Sequence, residues 1–279
     1  MILNLDTQFS PITGDTISHE SFFFNGGEPH IRIDNIDTSQ DVILTHRIQS
    51  FNDVGMIAIA VDALRRMGVK NIELVIPYFP AARQDRVMVA GESLAVKVYA
   101  DLINNLNLNK VTIFDPHSDV APALLNNCTV LTNHDFVRQI IAELDEDIIL
   151  ISPDAGASKK IFGLAKALQM PNVLECGKKR DVITGKLSGF TVPGEDLNGK
   201  PCIIVDDICD GGGTFLGLGK ELKKKGAGDL YLAVSHGIFS KGMNDLSEIF
   251  LKVFTTDSFK SMDDEAGLVQ IPLSKIIDL

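Results

Sequence analysis

No stretch of this 279-residue chain approaches the roughly 18 consecutive apolar residues that a membrane-spanning helix needs. The N-terminus has no basic cluster ahead of an apolar core. Asp6 stands there instead, so a secretory leader is not expected. Cysteine is scarce. Cys128, Cys176, Cys202 and Cys209 form no CxxC pair and no metal-ligand spacing, which reads as reduced thiols in a cytoplasmic protein. Positive charge is short as well, with 26 Lys and Arg against 37 Asp and Glu and a formal net charge of −11. Binding to a nucleic-acid backbone needs a basic surface, so neither nucleic acid nor membrane is an expected partner. A small anionic substrate is compatible with this balance if the few cations gather in one cleft.

What is present is globular composition, 45% hydrophobic and 23% charged, at a length that suits two domains or one large one. There are no repeats. Residues 1–20 are polar and weakly patterned, with Pro11 and Gly14 marking a turn. His30 to Ile36 alternates and reads as a strand, and Val42 to Thr45 as a second. Asp53 to Gly68 has helical spacing, capped near Asn52 or Asp53 and stopped at Gly68. Strands at Ile72 to Ile76, Lys110 to Phe114 and Ile148 to Ile151 alternate with helices at Leu94 to Leu106 and Asp135 to Leu144. That alternation predicts an α/β fold with mainly parallel sheets flanked by helices. The pattern restarts near residue 133, which divides the chain into halves 1–132 and 133–279, with room for the extreme C-terminus to pack back on the first.

One stretch stands out. Cys202 to Val205 reads as a buried strand, followed by two adjacent carboxylates, Asp206 and Asp207, at its carboxyl end. A turn of Asp210, Gly211, Gly212, Gly213 and Thr214 then leads into an amphipathic helix from Phe215 to Lys225. Glycines let backbone N–H groups approach an anion, and the helix start adds roughly half a positive charge. Carboxylates beside a phosphate cradle suit the hydroxyls of a sugar or a Mg2+ ion carried with it. The plainer alternative is a tight strand-to-helix loop with capping aspartates.

Four further stretches carry chemistry. Pro77 to Arg86 turns from a strand end into the polar run Arg83, Gln84, Asp85 and Arg86, either a guanidinium grip on phosphate or base, or a solvated loop. Phe114-Asp115-Pro116-His117 puts a histidine after a strand, where a structural role is the commoner one. Asp154, in Ser152-Pro153-Asp154-Ala155-Gly156, offers hard oxygens for Mg2+ or a helix cap. Lys178-Lys179-Arg180 opens a polar, glycine-containing stretch, either a basic surface patch or a loop that brings cations to developing charge.

Taken in order, these segments resemble the ribose-phosphate diphosphokinases, the phosphoribosyl pyrophosphate (PRPP) synthetases. The resemblance runs from about Phe24 to the end of the sequence. It implies two tandem type I phosphoribosyltransferase domains and an enzyme of nucleotide biosynthesis. Such an enzyme moves the β,γ-diphosphate of Mg·ATP onto the C1 hydroxyl of ribose 5-phosphate, giving PRPP and AMP. By the same resemblance Arg83 and Gln84 contact ATP, and His117 and Asp154 hold its Mg2+. Lys178 and Arg180 stabilise the transferring group, while Asp206, Asp207 and residues 210–214 bind the ribose phosphate. Phe24-Asn25-Gly26-Gly27-Glu28 is similar to a family segment, Phe-x-Asp-Gly-Glu, that reaches into a neighbouring subunit's ATP site. Phe24, Gly26 and Glu28 would then serve ATP in a homo-oligomer, dimer or higher.

The sequence also departs from that pattern. Residues 1–23 are too few and too polar for the strand, turn and helix with which the family usually opens. Gly26 replaces the usual Asp, and Pro116 replaces the Leu of Asp-Leu-His. Val87 to Gly91 stand where basic residues usually follow Arg-Gln-Asp-Arg, and the 37–41 segment lacks an arginine. Weak or absent control by phosphate and ADP is therefore expected. Gly211 stands where the family carries Thr, which leaves more room at the sugar's 5′ end. A larger ribose 5-phosphate derivative such as ADP-ribose is the alternative acceptor, and a non-catalytic regulatory homologue is a further one.

Overall fold

The computed structural model describes residues 1–144, 147–180, 187–194 and 196–277, and the chain divides into two compact units. The first comprises Met1–Thr132, Ser258–Ser261 and Pro272–Leu279. The second comprises Asn133–Asp257 and Met262–Ile271.

In the first unit the elements are β1 (Ile2–Asn4), β2 (His19–Phe23), β3 (Pro29–Ile33), β4 (Val42–Thr45), α1 (Phe51–Met67), β5 (Ile72–Val75), α2 (Ala95–Asn104), β6 (Lys110–Phe114), α3 (Val120–Leu124) and β7 (Cys128–Leu131). Strands β1, β4, β5, β6 and β7 form one parallel sheet in that order. Its inner strands are apolar on both faces, as a sheet covered on two sides requires. Helix α1 buries Val54, Ile57, Val61 and Leu64, a stripe at helical spacing, in the same core as Leu44, Leu74 and Ile113. Its cap differs from the sequence expectation. Ser50 is the N-cap, and Asp53 closes a capping box by accepting the N–H groups of Ser50 (2.7 Å) and Gln49 (2.9 Å). At the other end Gly68 takes the left-handed conformation, φ 103°, that a helix stop favours. The sequence reading also missed β1, whose three residues are too few to show a period. It is nonetheless an edge strand, paired with β4 from Ile2↔Ile43 to Asn4↔Thr45. Strands β2 and β3 form a separate antiparallel hairpin, with β3 lying against α1.

The second unit contains α4 (His134–Ala142), β8 (Ile149–Ser152), α5 (Ser158–Leu168), β9 (Val173–Glu175), β10 (Gly177–Arg180), β11 (Leu187–Thr191), β12 (Cys202–Cys209), α6 (Gly213–Lys224), β13 (Leu230–Gly237), α7 (Asn244–Ser247), β14 (Lys252–Thr256) and β15 (Leu268–Ile271). A six-stranded parallel sheet runs β15-β14-β13-β12-β8-β9. Strand β12 extends beyond the expected end. Its ladder with β13 continues through Asp206↔Val234, Ile208↔His236 and Cys209↔Gly237, so both aspartates lie within the strand rather than at its tip. Helix α6 seats Phe215, Leu218 and Leu222 in the core against β12 and β13. Among the described residues, no helix is long and apolar enough to cross a membrane.

Candidate active site

In the first unit, functional candidates gather at the carboxyl edge of the sheet, where open α/β sheets bind ligands. Beyond β5 the chain buries Phe79 and Ala82 and turns at Ala81, which holds a left-handed φ of 55° despite its side chain. The Gln84 N–H donates to the Ala81 carbonyl (2.8 Å), closing a turn that leaves Arg83 and Gln84 exposed. Asp115, directly after β6, is a second left-handed residue (φ 39°), buried, its N–H bonded to the Leu131 carbonyl. The two loops meet at Asp85. Burial alone would raise its carboxyl, but hydrogen bonds from Ser118 and Arg86, with the charges of Arg86 and His117, hold it below the usual carboxylate range. Arg83, Gln84 and His117 are thus placed on one edge by sequence segments about thirty residues apart.

The neighbouring loop is apolar where the family resemblance leads one to expect basic residues. Val87, Met88 and Val89 are exposed, and the Glu92 carboxylate accepts the N–H groups of Met88 (2.8 Å) and Val89 (3.2 Å). Phe24, Gly26 and Glu28 form the tip of the β2–β3 hairpin. The Phe24 N–H donates to Glu28 O (2.9 Å), and Phe22, Phe24 and His30 cluster edge to face on the surface. A side chain added at Gly26 would meet the Glu28 carboxylate at 2.4 Å, so an aspartate there would set two carboxylates against each other.

In the second unit the carboxylates converge. Asp207 is buried and Asp206 partly so, and the Asp207 N–H donates to Asp206 Oδ1 (2.9 Å). Burial, then the negative charge of Asp207 and, less strongly, of Asp154, pushes the Asp206 carboxyl well above its ordinary value. Asp154 follows β8, the strand next to β12. Its Oδ1 accepts N–H groups from Gly156 (2.9 Å) and Ala157 (3.2 Å), which fastens the turn ahead of α5 rather than capping the helix itself, while Oδ2 faces Lys178 Nζ at 3.5 Å. One oxygen of Asp154 thus holds that turn while the other meets a lysine. The Lys178 side chain is largely buried. It lies on a strand rather than in a loop, and β10 pairs with β11 so that Lys178 faces Phe190. The side chain of Arg180 lies outside the described residues, as do residues 181–186.

Asp210 and Gly211 cross from β12 to α6. Gly212, at φ 71°, is the N-cap, and Gly213 and Thr214 form the first helical turn. The Cys209 carbonyl accepts the N–H groups of Ile238 (2.9 Å) and Phe239 (3.1 Å), and the Asp210 carbonyl that of Ser240 (3.1 Å). The turn after β13 is thus bonded to the glycine loop. Burial pushes the Cys209 thiol up to about 12, so it stays protonated beside this loop.

Two features carried no sequence signal. A side chain at Gly217, on α6, would meet Phe190 of β11 at 2.2 Å, so the absence of one lets the hairpin bearing Lys178 dock on the helix behind the glycine loop. Lys241 runs beside Gly211.

Among the described residues no group of three His, Cys, Asp or Glu side chains is gathered to hold an ion alone.

Residues 13–106 match the profile of the N-terminal domain of ribose phosphate pyrophosphokinase. The chain is similar to the ribose-phosphate pyrophosphokinase of Mycoplasma genitalium, 33% identical over 236 residues, which covers 83% of this chain and 69% of that protein. The enzyme of the same name from Vibrio cholerae is 30% identical over 269 residues, 91% of this chain and 83% of its own. The chain belongs to the ribose-phosphate pyrophosphokinase family. It is accordingly an enzyme of that class, and its fold agrees with a solved relative. The crystal structure of phosphoribosylpyrophosphate synthetase from Mycobacterium smegmatis superposes with a TM-score of 0.84 at 23% identity, covering 99% of this chain and 95% of that one.

Proposed function

We propose that this enzyme transfers the β,γ-diphosphate of Mg·ATP to the C1 hydroxyl of ribose 5-phosphate, giving PRPP and AMP. The observation that carries the reading is the Asp206–Asp207 pair in the carboxyl-terminal half of β12, the strand that leads into the glycine-rich start of α6, with Asp154 and Lys178 in the same unit. A carboxylate pair that resists full ionisation gains from any cation or hydroxyl donor brought to it, and a furanose offers adjacent hydroxyls. Residues 210–214 take the 5′-phosphate on backbone N–H groups. In the first unit Arg83 and Gln84 would hold the nucleotide and His117 its Mg2+, and in the second Asp154 is the residue that would serve the metal. The metal would neutralise charge on the bridging phosphates. The anomeric oxygen forms its bond to the β-phosphorus, the bond from that phosphorus to the α-phosphate oxygen breaks, AMP leaves and the hydroxyl proton is released. Lys178 supplies positive charge to the migrating group, with Arg180 as its partner in that role. Catalysis of this kind is mostly positioning and electrostatics.

The exposed aromatic tip of the β2–β3 hairpin supports self-association, with Phe24, Gly26 and Glu28 serving ATP in a neighbouring copy. The acidic charge balance argues against nucleic acid, and four free cysteines fit a reducing cytoplasm.

A second reading changes only the acceptor. The space at Gly211 is bounded by the stem of Lys241 rather than by backbone, so a longer 5′ group such as that of ADP-ribose can be admitted there. AMP release from Mg·ATP, with ribose 5-phosphate and ADP-ribose as separate acceptors, tests both. Turnover on ribose 5-phosphate is expected. Turnover mainly on ADP-ribose would favour the second reading, and none on either would refute diphosphate transfer.

A further inference from the structure

Gly211 does not occupy the left-handed region, so its backbone would accept a side chain. What borders that space instead is Lys241. Its Cε, Cδ and Cγ lie 3.4, 3.5 and 3.7 Å from where a Cβ at Gly211 would stand. The lysine is brought there by a constrained turn. Phe239 is buried at φ 45°, Gly242 sits at φ 74°, and Ser240 N–H is bonded to Asp210 O. A bulky residue in the left-handed region costs about 1–3 kcal/mol, and surrounding structure must hold it there. The Lys241 ammonium is exposed, and no carboxylate among the described residues pairs with it. In a chain of net charge −11, a lysine laid along the glycine loop that follows β12 has one evident use. It is a cation within reach of an anion bound at that loop.

We propose that Lys241 is a specificity-determining residue of the acceptor pocket, its ammonium binding the phosphate carried at the ribose 5-position. This rests on the ribose-phosphate reading of the 206–214 loop. A lysine is a flexible point charge, so it can follow a phosphate whose position shifts with the acceptor's size. A hydrogen bond between charged partners is worth enough to change affinity about tenfold or more.

The test compares the full-length protein with Lys241→Met, which keeps the stem, and Lys241→Arg, which keeps the charge. Ribose 5-phosphate binding is measured by calorimetry, and the KM for each substrate by AMP release. Expected for Lys241→Met is about tenfold weaker ribose 5-phosphate binding and a matching rise in its KM, with the KM for ATP unchanged and Lys241→Arg restoring most of the loss. Equal binding by wild type and Lys241→Met would overturn the role of Lys241 and leave the ribose-phosphate reading intact. Equal weakening toward both substrates would also overturn it, as a general disturbance of the fold. Failure of the wild type to bind ribose 5-phosphate would overturn the underlying reading and this inference with it.

Discussion

The contact between Gly217 and Phe190 makes a prediction that separates function from stability. Replacing Gly217 by Ala places a methyl carbon 2.2 Å from Phe190 Cε2 and 2.9 Å from Cδ2, so something must move. Helix α6 is the poorer candidate, because Phe215, Leu218 and Leu222 are 3%, 0% and 0% exposed in the core. The hairpin is the better one, since its chief partners are its own two-stranded ladder and α6. Overpacking typically costs about 1–3 kcal/mol. Alanine in place of a helical glycine returns about 1 kcal/mol. The net loss is thus about 0–2 kcal/mol, a fall in Tm of only a few degrees for a chain of this size. The functional effect runs through a different path. Phe190 sits directly across the ladder from Lys178, so displacing the ring displaces the lysine. A shift of about 1 Å in a group that meets the transition state can cost about a hundredfold in rate. We expect kcat for AMP release to fall ~10–100-fold in Gly217→Ala while Tm drops by a few degrees. Phe190→Leu in the same background should restore part of the rate by vacating the contested space. A Gly217→Ala enzyme with wild-type kcat would refute the coupling, and so would a rate loss no larger than the loss of folded protein.

Two further expectations concern titration. Because the Asp206 carboxyl is raised in the folded state, its contribution to stability is complete below the ordinary carboxylate range and is lost as pH rises through its folded value. Asp206→Asn should therefore raise the Tm of the ligand-free protein at neutral pH, with the gain vanishing under acid, while ribose 5-phosphate turnover is lost. A lower Tm at neutral pH would contradict the like-charge account. Asp53 has the opposite sign. Burial opposes its charge, yet hydrogen bonds from His46, Gln49 and Ser50 lower its carboxyl from 3.8 to about 2. A displacement of that size corresponds to about 2.4 kcal/mol, and partial exposure (23% of the side chain) screens it to about 1–2 kcal/mol. That stability is present above the unfolded value and lost as pH falls toward 2, so Asp53→Asn should destabilise the protein in urea at neutral pH. The difference should shrink in acid, and a pH-independent difference would point to shape rather than charge.

The parallel sheets were legible because their strands are apolar on both faces and separated by amphipathic helices at ordinary spacing. Strands β4 and β6 fall where Val42–Thr45 and Lys110–Phe114 were read. Errors came where the deciding interaction is remote in sequence. Strand β1 owes its existence to a ladder with β4 some forty residues on, and β12 owes its last residues to β13. The cap of α1 was misplaced because Asn52, Asp53 and Ser50 are all competent caps, and the hydrogen bonds choose among them. In the candidate site, Asp154, Asp206 and Asp207 announced themselves by residue type next to small residues. Their mutual repulsion, and the salt bridge that sets Lys178 on Asp154, depend on β8 and β12 being neighbours, which chain order does not state. Gly217 and Lys241 left no trace at all, one being an ordinary helix glycine and the other an ordinary surface lysine until their neighbours are known.

Backbone strain gives an account of the site that owes nothing to motifs. Seven described non-glycine residues adopt positive φ. Asn107, Asn127 and Asn198 are of the type that tolerates it, and Gln169 ends helix α5. Ala81, Asp115 and Phe239 remain. Ala81 lies beyond β5, Asp115 follows β6 directly, and Phe239 follows β13, so all three mark carboxyl edges of the two sheets. At Ala81 and Phe239 this costs on the order of 1–3 kcal/mol, and less at Asp115, whose type tolerates it, and a fold retains such turns where the surrounding structure over-determines them. Ala81 sets up the turn that presents Arg83 and Gln84, Asp115 precedes His117, and Phe239 delivers Lys241 to Gly211. Relaxing any of these turns would remove a candidate side chain from its edge while leaving the apolar core intact, which is the pattern expected when strain is kept for positioning rather than for stability.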